Sequence, residues 1–170
     1  DAQSIELSRV VDRAIRESKA IDFEKLCIEP GKKVWMLFID IDVLDDDGNL
    51  IDAAGIAAIS ALINAKMPKL LREGEDYKID YDVKEKHLPL VGIPVSTTFV
   101  KIEDAILSDP NLVEMKSMDA RLTVGTLDGK ICSMQKGGES GLTLEEIEKI
   151  IEYAEKKGNE LRKIIEVHRK

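Results

Sequence analysis

Three arginines near the start of the chain recur at helical spacing. Arg9, Arg13 and Arg16 stand at positions i, i+4 and i+7, and side chains at that spacing share one face of an α-helix. Guanidinium groups in such a row can bind successive phosphates of a nucleic acid. Acidic residues such as Asp12 and Glu17 are interleaved with them and can pair with them. From the residues alone, a solvated, ion-paired face is the favoured interpretation, and phosphate binding is the alternative.

Carboxylates elsewhere could hold a metal ion. Asp40 and Asp42 alternate with apolar residues in a predicted strand, so they could bind magnesium from one strand face or simply face solvent at a strand edge. The acidic turn that follows is not a calcium loop. With Gly48 at the sixth loop position, Val43 and Ala54 would occupy the first and twelfth, where neither side chain can coordinate.

Composition excludes several classes of protein. The 170 residues carry 25 basic and 33 acidic side chains, a formal charge of −8, which argues against a broad positive surface that coats nucleic acid. No apolar run approaches the roughly 18–20 residues that span a bilayer. Two histidines and two cysteines, all far apart in sequence, predict neither a zinc site nor a nucleophile–base set.

Hydrophobic periodicity predicts alternating helices and strands. Helices are predicted at residues 5–18, at 52–66 and from 144 almost to the end, the last beginning at a Thr143–Glu146 capping box. Strands are predicted at 33–44, 95–102, 118–127 and 130–136, with a hairpin turn at Asp128-Gly129. The charged segment 72–88 is a connection with one edge strand at 77–83. This order predicts an α+β fold with mixed sheets packed against helices.

Residues 5–22, residues 26–35 with the turn Glu29-Pro30-Gly31-Lys32, and residues 40–49 resemble the RNase PH superfamily. Within it, the similarity is to the catalytically silent RNase PH-like ring subunits of archaeal exosomes, and it covers nearly the whole chain. The resemblance implies an RNase PH-like fold whose first part is ribosomal protein S5 domain 2-like. Residues 1–67 would be the C-terminal part of the first subdomain, 68–90 a linker and 91–170 the second subdomain. Family chains have further N-terminal strands, so we expect an N-terminally truncated chain.

The resemblance also implies that phosphate-binding elements are missing. Active members have an Arg just before the arginine helix, where this chain has Gln3. They have a Gly-Thr-Arg-Thr loop where this chain has Asn49-Leu50-Ile51-Asp52, with Ile51 in the place of the Arg. An aliphatic side chain cannot donate a hydrogen bond to phosphate, and Asp52 would repel it.

A pair of aspartates serves metal binding and acid catalysis in active members. Asp119 matches one of them, and the other falls near Val113, with only Glu114 close by. Phosphorolysis needs electrostatic stabilisation of the transferring phosphate. We therefore assign no catalytic residue and no metal ligand to this chain.

For Arg9 and Arg13, the resemblance favours RNA binding over the solvated, ion-paired face that the residues alone favour. It implies that Arg9 and Arg13 bind RNA phosphates leading into the active site of a neighbouring subunit, and it leaves Arg16 open between RNA and an ion pair within the fold. It further implies a hexameric ring with a catalytic RNase PH-like subunit, RNA-binding cap subunits, single-stranded RNA, a cytoplasmic location and no membrane. Inorganic phosphate and magnesium would act only at the partner's site. The alternatives are a phosphate-dependent 3'-to-5' exoribonuclease active by itself and an unrelated α+β binding module.

Overall fold

A four-stranded antiparallel sheet lies between two layers of helix in the computed structural model, which describes residues 2–74 and 76–168. The strand order is β6-β5-β7-β8, with β5 at Val95–Ile102, β6 at Ala105–Ser108, β7 at Ala120–Leu127 and β8 at Lys130–Gly138. The helices are α1 at Ala2–Glu17, α2 at Leu50–Asn64, α3 at Leu112–Ser117 and α4 at Leu144–Val167. This arrangement confirms the predicted α+β fold.

The two N-terminal helices contribute much of one apolar cluster of the described structure. The buried stripe of α1 includes Val11 and Ile15, as its periodicity predicts. The side of α2 that carries Ala54 and Ala58 is also buried, and small side chains there let the two helices approach closely. Ile165, near the end of α4, completes this cluster from the other end of the chain.

The long strand predicted at 33–44 is wrong in most of its length. Only β2 (Lys33–Val34) pairs, with β1 (Cys27–Glu29), which follows a short 3-10 helix at Phe23–Leu26. Beyond Trp35, no strand of the described part of the chain lies alongside to accept backbone hydrogen bonds. Burial on both faces is wrong as well, because Trp35 and Leu37 face the apolar cluster while Phe38 is 79% exposed.

The charged connection is an ordered two-stranded ribbon. β3 (Lys66–Glu73) pairs antiparallel with β4 (Asp76–His87), so the expected edge strand is longer than predicted and has a partner. The register shifts on both sides of Pro68, because proline has no N–H to donate to a ladder.

The predicted hairpin in the second half is confirmed. β7 and β8 are joined at Asp128 and Gly129, whose φ angles are 49° and 72°. Both angles lie in the left-handed region that a tight two-residue hairpin turn requires. Helix α3 was not predicted; Asn111 and Glu114 cap its first turn reciprocally.

Helix α4 covers one face of the sheet. It begins at the predicted capping box of Thr143 and Glu146, which satisfies two otherwise unpaired backbone N–H groups. Its Ile150 and Ala154 pack against Phe99 and Leu122 on the sheet. None of the described helices combines the length and apolar character that crossing a membrane requires.

Gly158 lies where α4 packs closely against Thr126 of β7, and it yields a stability prediction. A Cβ at this position would collide with Thr126 Oγ1. Helix propensity alone would favour Gly158→Ala by about 1 kcal/mol, but overpacking costs about 1–3 kcal/mol. We expect Gly158→Ala to lower the free energy of unfolding in urea, and to do so less in a Thr126→Ala background. Equal losses in both backgrounds would contradict the collision.

Candidate RNA-binding face and phosphate cleft

The three arginines of α1 lie in three different environments. Arg9 is exposed and makes no hydrogen bond or ion pair with any described residue. Because it is exposed and has no partner among the described residues, its guanidinium is available to an external anion. This is the arginine whose surroundings fit phosphate binding most directly.

Arg13 is held in place by the sheet. Its Nη1 donates a hydrogen bond of 3.0 Å to Gln135 Oε1 on β8, and the residue is half-buried at the junction of helix and sheet. Gln135 is neutral, so the positive charge of Arg13 is not cancelled by this contact. A positioned and uncompensated guanidinium loses less side-chain entropy when it binds a phosphate.

Arg16 is engaged within the helix. Its Nε and Nη2 both donate to Asp12 Oδ2, at 3.2 and 3.0 Å, and Nη1 lies 3.5 Å from Glu17 Oε1. The hydrogen bond and charge of Asp12 raise the pKa of this guanidinium. The structure therefore shows Arg16 in the ion pair that was one of its two sequence interpretations.

A small cleft joins the start of α1 to the start of α2. Its volume is about 70 Å³, and its walls include Gln3, Glu6 and Arg121. Pockets that take whole ligands are usually about 300 Å³ or larger. Arg121, a buried residue of β7, forms an ion pair with Glu6, so the one arginine in this cleft is already neutralised.

Sequence reasoning missed Arg121. Its side chain fits against Gly137, where an added Cβ would lie 2.7 Å from Arg121 Nη2. The signal in the sequence was a single arginine inside the apolar run of β7, opposite a glycine of β8. Because a buried charge needs a partner, that pattern could have prompted a search for an acid, although it does not identify Glu6.

The segment Asn49–Asp52, which stands where active members have the phosphate loop, has three of its four residues buried. Ile51 is buried, and Asn49, the N-cap residue that precedes α2, has a φ of 49° and makes no side-chain cap hydrogen bond. The carboxylate of Asp52 accepts hydrogen bonds from Thr98 N (2.7 Å), Thr98 Oγ1 (2.7 Å) and Asn49 Nδ2 (2.9 Å). Burial raises the pKa of Asp52 to about 6. A carboxylate thus occupies the helix N-terminus, where an anion would otherwise be favoured.

The other acids singled out by sequence have different surroundings. Asp119 Oδ2 accepts a hydrogen bond of 2.7 Å from Glu103 N and so holds the turn between β5 and β6. Val113 is exposed on α3. Asp40 and Asp42 are exposed on the unpaired segment after β2, and no group of three potential metal ligands occurs among the described residues.

Two family models identify the protein family of this chain. Residues 1–68 match domain 1 of the 3' exoribonuclease (RNase PH) family, and residues 92–157 match domain 2. The chain belongs to the RNase PH family. The two matches leave out residues 69–91, most of which form the ribbon of β3 and β4.

Curated relatives and solved structures are similar to this chain in sequence and in fold. The exosome complex component Rrp42 of Pyrococcus furiosus is 48% identical over 166 residues, and that of Thermoplasma volcanium is 51% identical over 160 residues. These alignments cover 97% and 94% of this chain but 60% and 58% of the relatives. A structure of an archaeal exosome core matches with a TM-score of 0.85 at 40% identity, covering 98% of this chain and 64% of that one.

A second structure carries RNA. The Archaeoglobus fulgidus exosome with RNA bound to the active site matches with a TM-score of 0.84 at 42% identity, covering 96% of this chain and 61% of that chain. Rice Rrp46 matches with a TM-score of 0.56 at 17% identity and shows the fold alone. This RNase PH-family chain therefore spans about three fifths of the length of its relatives.

Proposed function

We propose that this RNase PH-family protein is a non-catalytic ring subunit of an archaeal exosome, which supports 3'-to-5' phosphorolytic RNA degradation by an active partner. The relatives named exosome component Rrp42 and the matching exosome core structures support the assembly. The observation that carries the non-catalytic role is the cleft in which Arg121 is paired with Glu6.

The cleft lacks the charge that phosphorolysis needs. A phosphate attacking RNA carries at least one negative charge and must be held by free cations or backbone N–H groups. Here Gln3 is neutral, Ile51 is aliphatic and buried, and the carboxylate of Asp52 lies at the start of α2. A phosphate entering this cleft would have to displace Glu6 from Arg121 and would still face the carboxylate of Asp46 in the cleft wall.

The contribution to RNA comes from Arg9 and Arg13. Arg9 is exposed without a partner among the described residues, and Arg13 is held by neutral Gln135. Two guanidinium groups one helical turn apart can contact neighbouring backbone phosphates of a single strand. The net charge of −8 is compatible with this role, because a local pair of cations is enough to position RNA that a partner degrades.

The remaining components belong to the assembly. We propose a hexameric ring with a catalytic RNase PH-like subunit, with RNA-binding cap subunits on one face and single-stranded RNA as the substrate. Inorganic phosphate and magnesium act at the partner's active site, and we assign no site for either to the described residues of this chain. We place the assembly in the cytoplasm.

The test is phosphate-dependent degradation of single-stranded RNA. We expect the full-length protein alone to release no nucleoside diphosphates, and the ring formed with its catalytic partner to release them only when phosphate is present. The partner alone and the ring without phosphate are the controls. Robust release of nucleoside diphosphates by the full-length protein alone would show instead that the protein is an exoribonuclease that needs no partner.

A further inference from the structure

Two polar contacts join α1 to the sheet, and they lie seven residues apart on the helix. Glu6 forms an ion pair with Arg121 of β7, and Arg13 donates a hydrogen bond to Gln135 of β8. Side chains seven positions apart share one face of a helix. Arg9 lies between the two contacts, about one helical turn after Glu6. The helix is therefore attached to the sheet both before and after Arg9.

The partner of Glu6 is a buried guanidinium with a fitted place in the sheet. The side chain of Arg121 is 7% exposed. It lies close against Gly137, the residue opposite it in the ladder of β7 and β8, which has no side chain to displace it. Arg121 Nε is buried without a hydrogen-bond partner in the described structure. Because a buried charge is costly unless it is paired, the carboxylate of Glu6 compensates this one.

A buried ion pair contributes little to stability but much to geometry. Desolvation offsets most of its Coulombic energy, and apolar residues of similar volume are often at least as stabilising. The buried apolar stripe of α1 already attaches the helix to the fold, but hydrophobic contacts have no preferred direction. A carboxylate that must reach one buried guanidinium does have a direction. The pair of Glu6 and Arg121 therefore fixes the rotation and the axial position of α1.

We propose that Glu6 and Arg121 are positioning residues for RNA binding. Their ion pair holds α1 so that Arg9 and Arg13 contact neighbouring phosphates of one strand, and neither member of the pair contacts RNA itself. This inference rests on the RNA role proposed for Arg9 and Arg13. It gives a use to the arginine that is neutralised in the cleft.

The test replaces both members of the pair in the full-length protein, assembled with its catalytic partner. Glu6→Met together with Arg121→Met removes one acidic and one basic group, so the net charge is unchanged. We expect the affinity of the ring for single-stranded RNA to fall by about threefold to tenfold, because the two arginines are no longer held in place. We expect the free energy of unfolding in urea to stay the same or to rise. A merely structural pair would show the reverse, with lower stability and unchanged RNA affinity.

The matched control is an ion pair on another element. Lys157 and Glu160 of α4 pair at 3.0 Å, and both side chains are about half exposed. Lys157→Met together with Glu160→Met also leaves the net charge unchanged. We expect it to change the RNA affinity of the ring by less than about twofold, since exposed pairs hold little in place.

A milder variant keeps the charge of the pair. Glu6→Asp shortens the side chain by one methylene, so the carboxylate reaches Arg121 only if α1 shifts. We expect RNA affinity to fall by about twofold to fivefold. In a ring that carries Arg9→Ala and Arg13→Ala, neither Glu6 variant weakens RNA binding further, because the groups that the pair positions are absent.

Three outcomes would overturn the proposal. They are unchanged RNA affinity in both Glu6 variants, an equal loss in the Lys157 and Glu160 control, and the same loss with and without Arg9 and Arg13. If Arg9→Ala with Arg13→Ala itself leaves the affinity unchanged, the RNA role of these arginines is wrong and the inference falls with it. Measuring that variant alongside the Glu6 variants therefore distinguishes the two failures.

Discussion

We expect the replacement of both Arg9 and Arg13 by alanine to lower the affinity of the proposed ring for single-stranded RNA by about tenfold to a hundredfold at low salt. Each guanidinium that contacts a phosphate adds a charged hydrogen bond and releases a counterion. The measurement is RNA binding to the ring over a series of salt concentrations. For two lost contacts on a single strand, the slope of log K against log salt becomes shallower by about 1.4.

The matched control for this double variant lies on the same helix. Arg16→Ala removes the same charge, but Arg16 is already paired with Asp12 and Glu17, so we expect a smaller loss of affinity and little change in slope. We expect ring assembly, followed by size-exclusion chromatography, to remain intact in both variants. An unchanged RNA affinity in the intact Arg9/Arg13 variant ring would show that these two arginines do not bind RNA.

Asp52 connects α2 to β5 through two hydrogen bonds from Thr98, and it gives the second prediction. Replacing it by alanine leaves buried Thr98 N without its side-chain acceptor, removes one of the two acceptors of the Asn49 amide and opens a cavity. We therefore expect a loss of about 2–4 kcal/mol of unfolding free energy. Asparagine is the matched replacement. Its Oδ1 accepts from Thr98 N, and its amide donates to Thr98 Oγ1, which in turn donates to Thr123 Oγ1, its neighbour at 2.9 Å.

The pH dependence of the same site has a definite sign. The pKa of Asp52 is raised from 3.8 to about 6 in the folded protein, so folding takes up a proton between these values. Stability from this group is greatest at low pH and is lost as the pH rises towards 6. Relative to Asp52→Asn, the wild type should lose about 2 kcal/mol between about pH 4.5 and about pH 7.5.

Urea unfolding of both proteins at the two pH values measures this difference, and the other titrating groups cancel between them. A wild type that instead gains stability over Asp52→Asn as the pH rises would show that the carboxylate is better stabilised by its hydrogen bonds than destabilised by burial.

The sequence correctly predicted those features that depend on interactions between residues close together in the chain. The capping box at Thr143, the hairpin at Asp128-Gly129 and the buried stripe of α1 each depend on residues within a few positions of one another. The prediction of a strand at residues 33–44 was wrong in most of its length. The apolar pattern carries no information on whether another strand lies alongside. Whether such a segment joins a sheet depends on a neighbouring strand, and the described structure provides one only for Lys33–Val34.

For the candidate site, too, the sequence predicted only those features that depend on neighbouring residues. The residue types alone placed Arg9, Arg13 and Arg16 on one helical face, and the resemblance identified Ile51 and Asp52 as unsuited to phosphate. Neither could distinguish the three arginines, because Gln135 reaches Arg13 from 122 positions away. The pairing of Arg121 with Glu6 spans 115 positions and likewise has no local signature.

By itself, the sequence determined the composition, the main helices, the central hairpin and membership of a family, since each follows from residue types at short spacing or from a motif read in order. Only the tertiary structure decided which arginine is free, which is held and which is paired, and that the cation in the cleft is neutralised. The physical reason is that charge compensation and burial depend on distances between segments, which the fold sets.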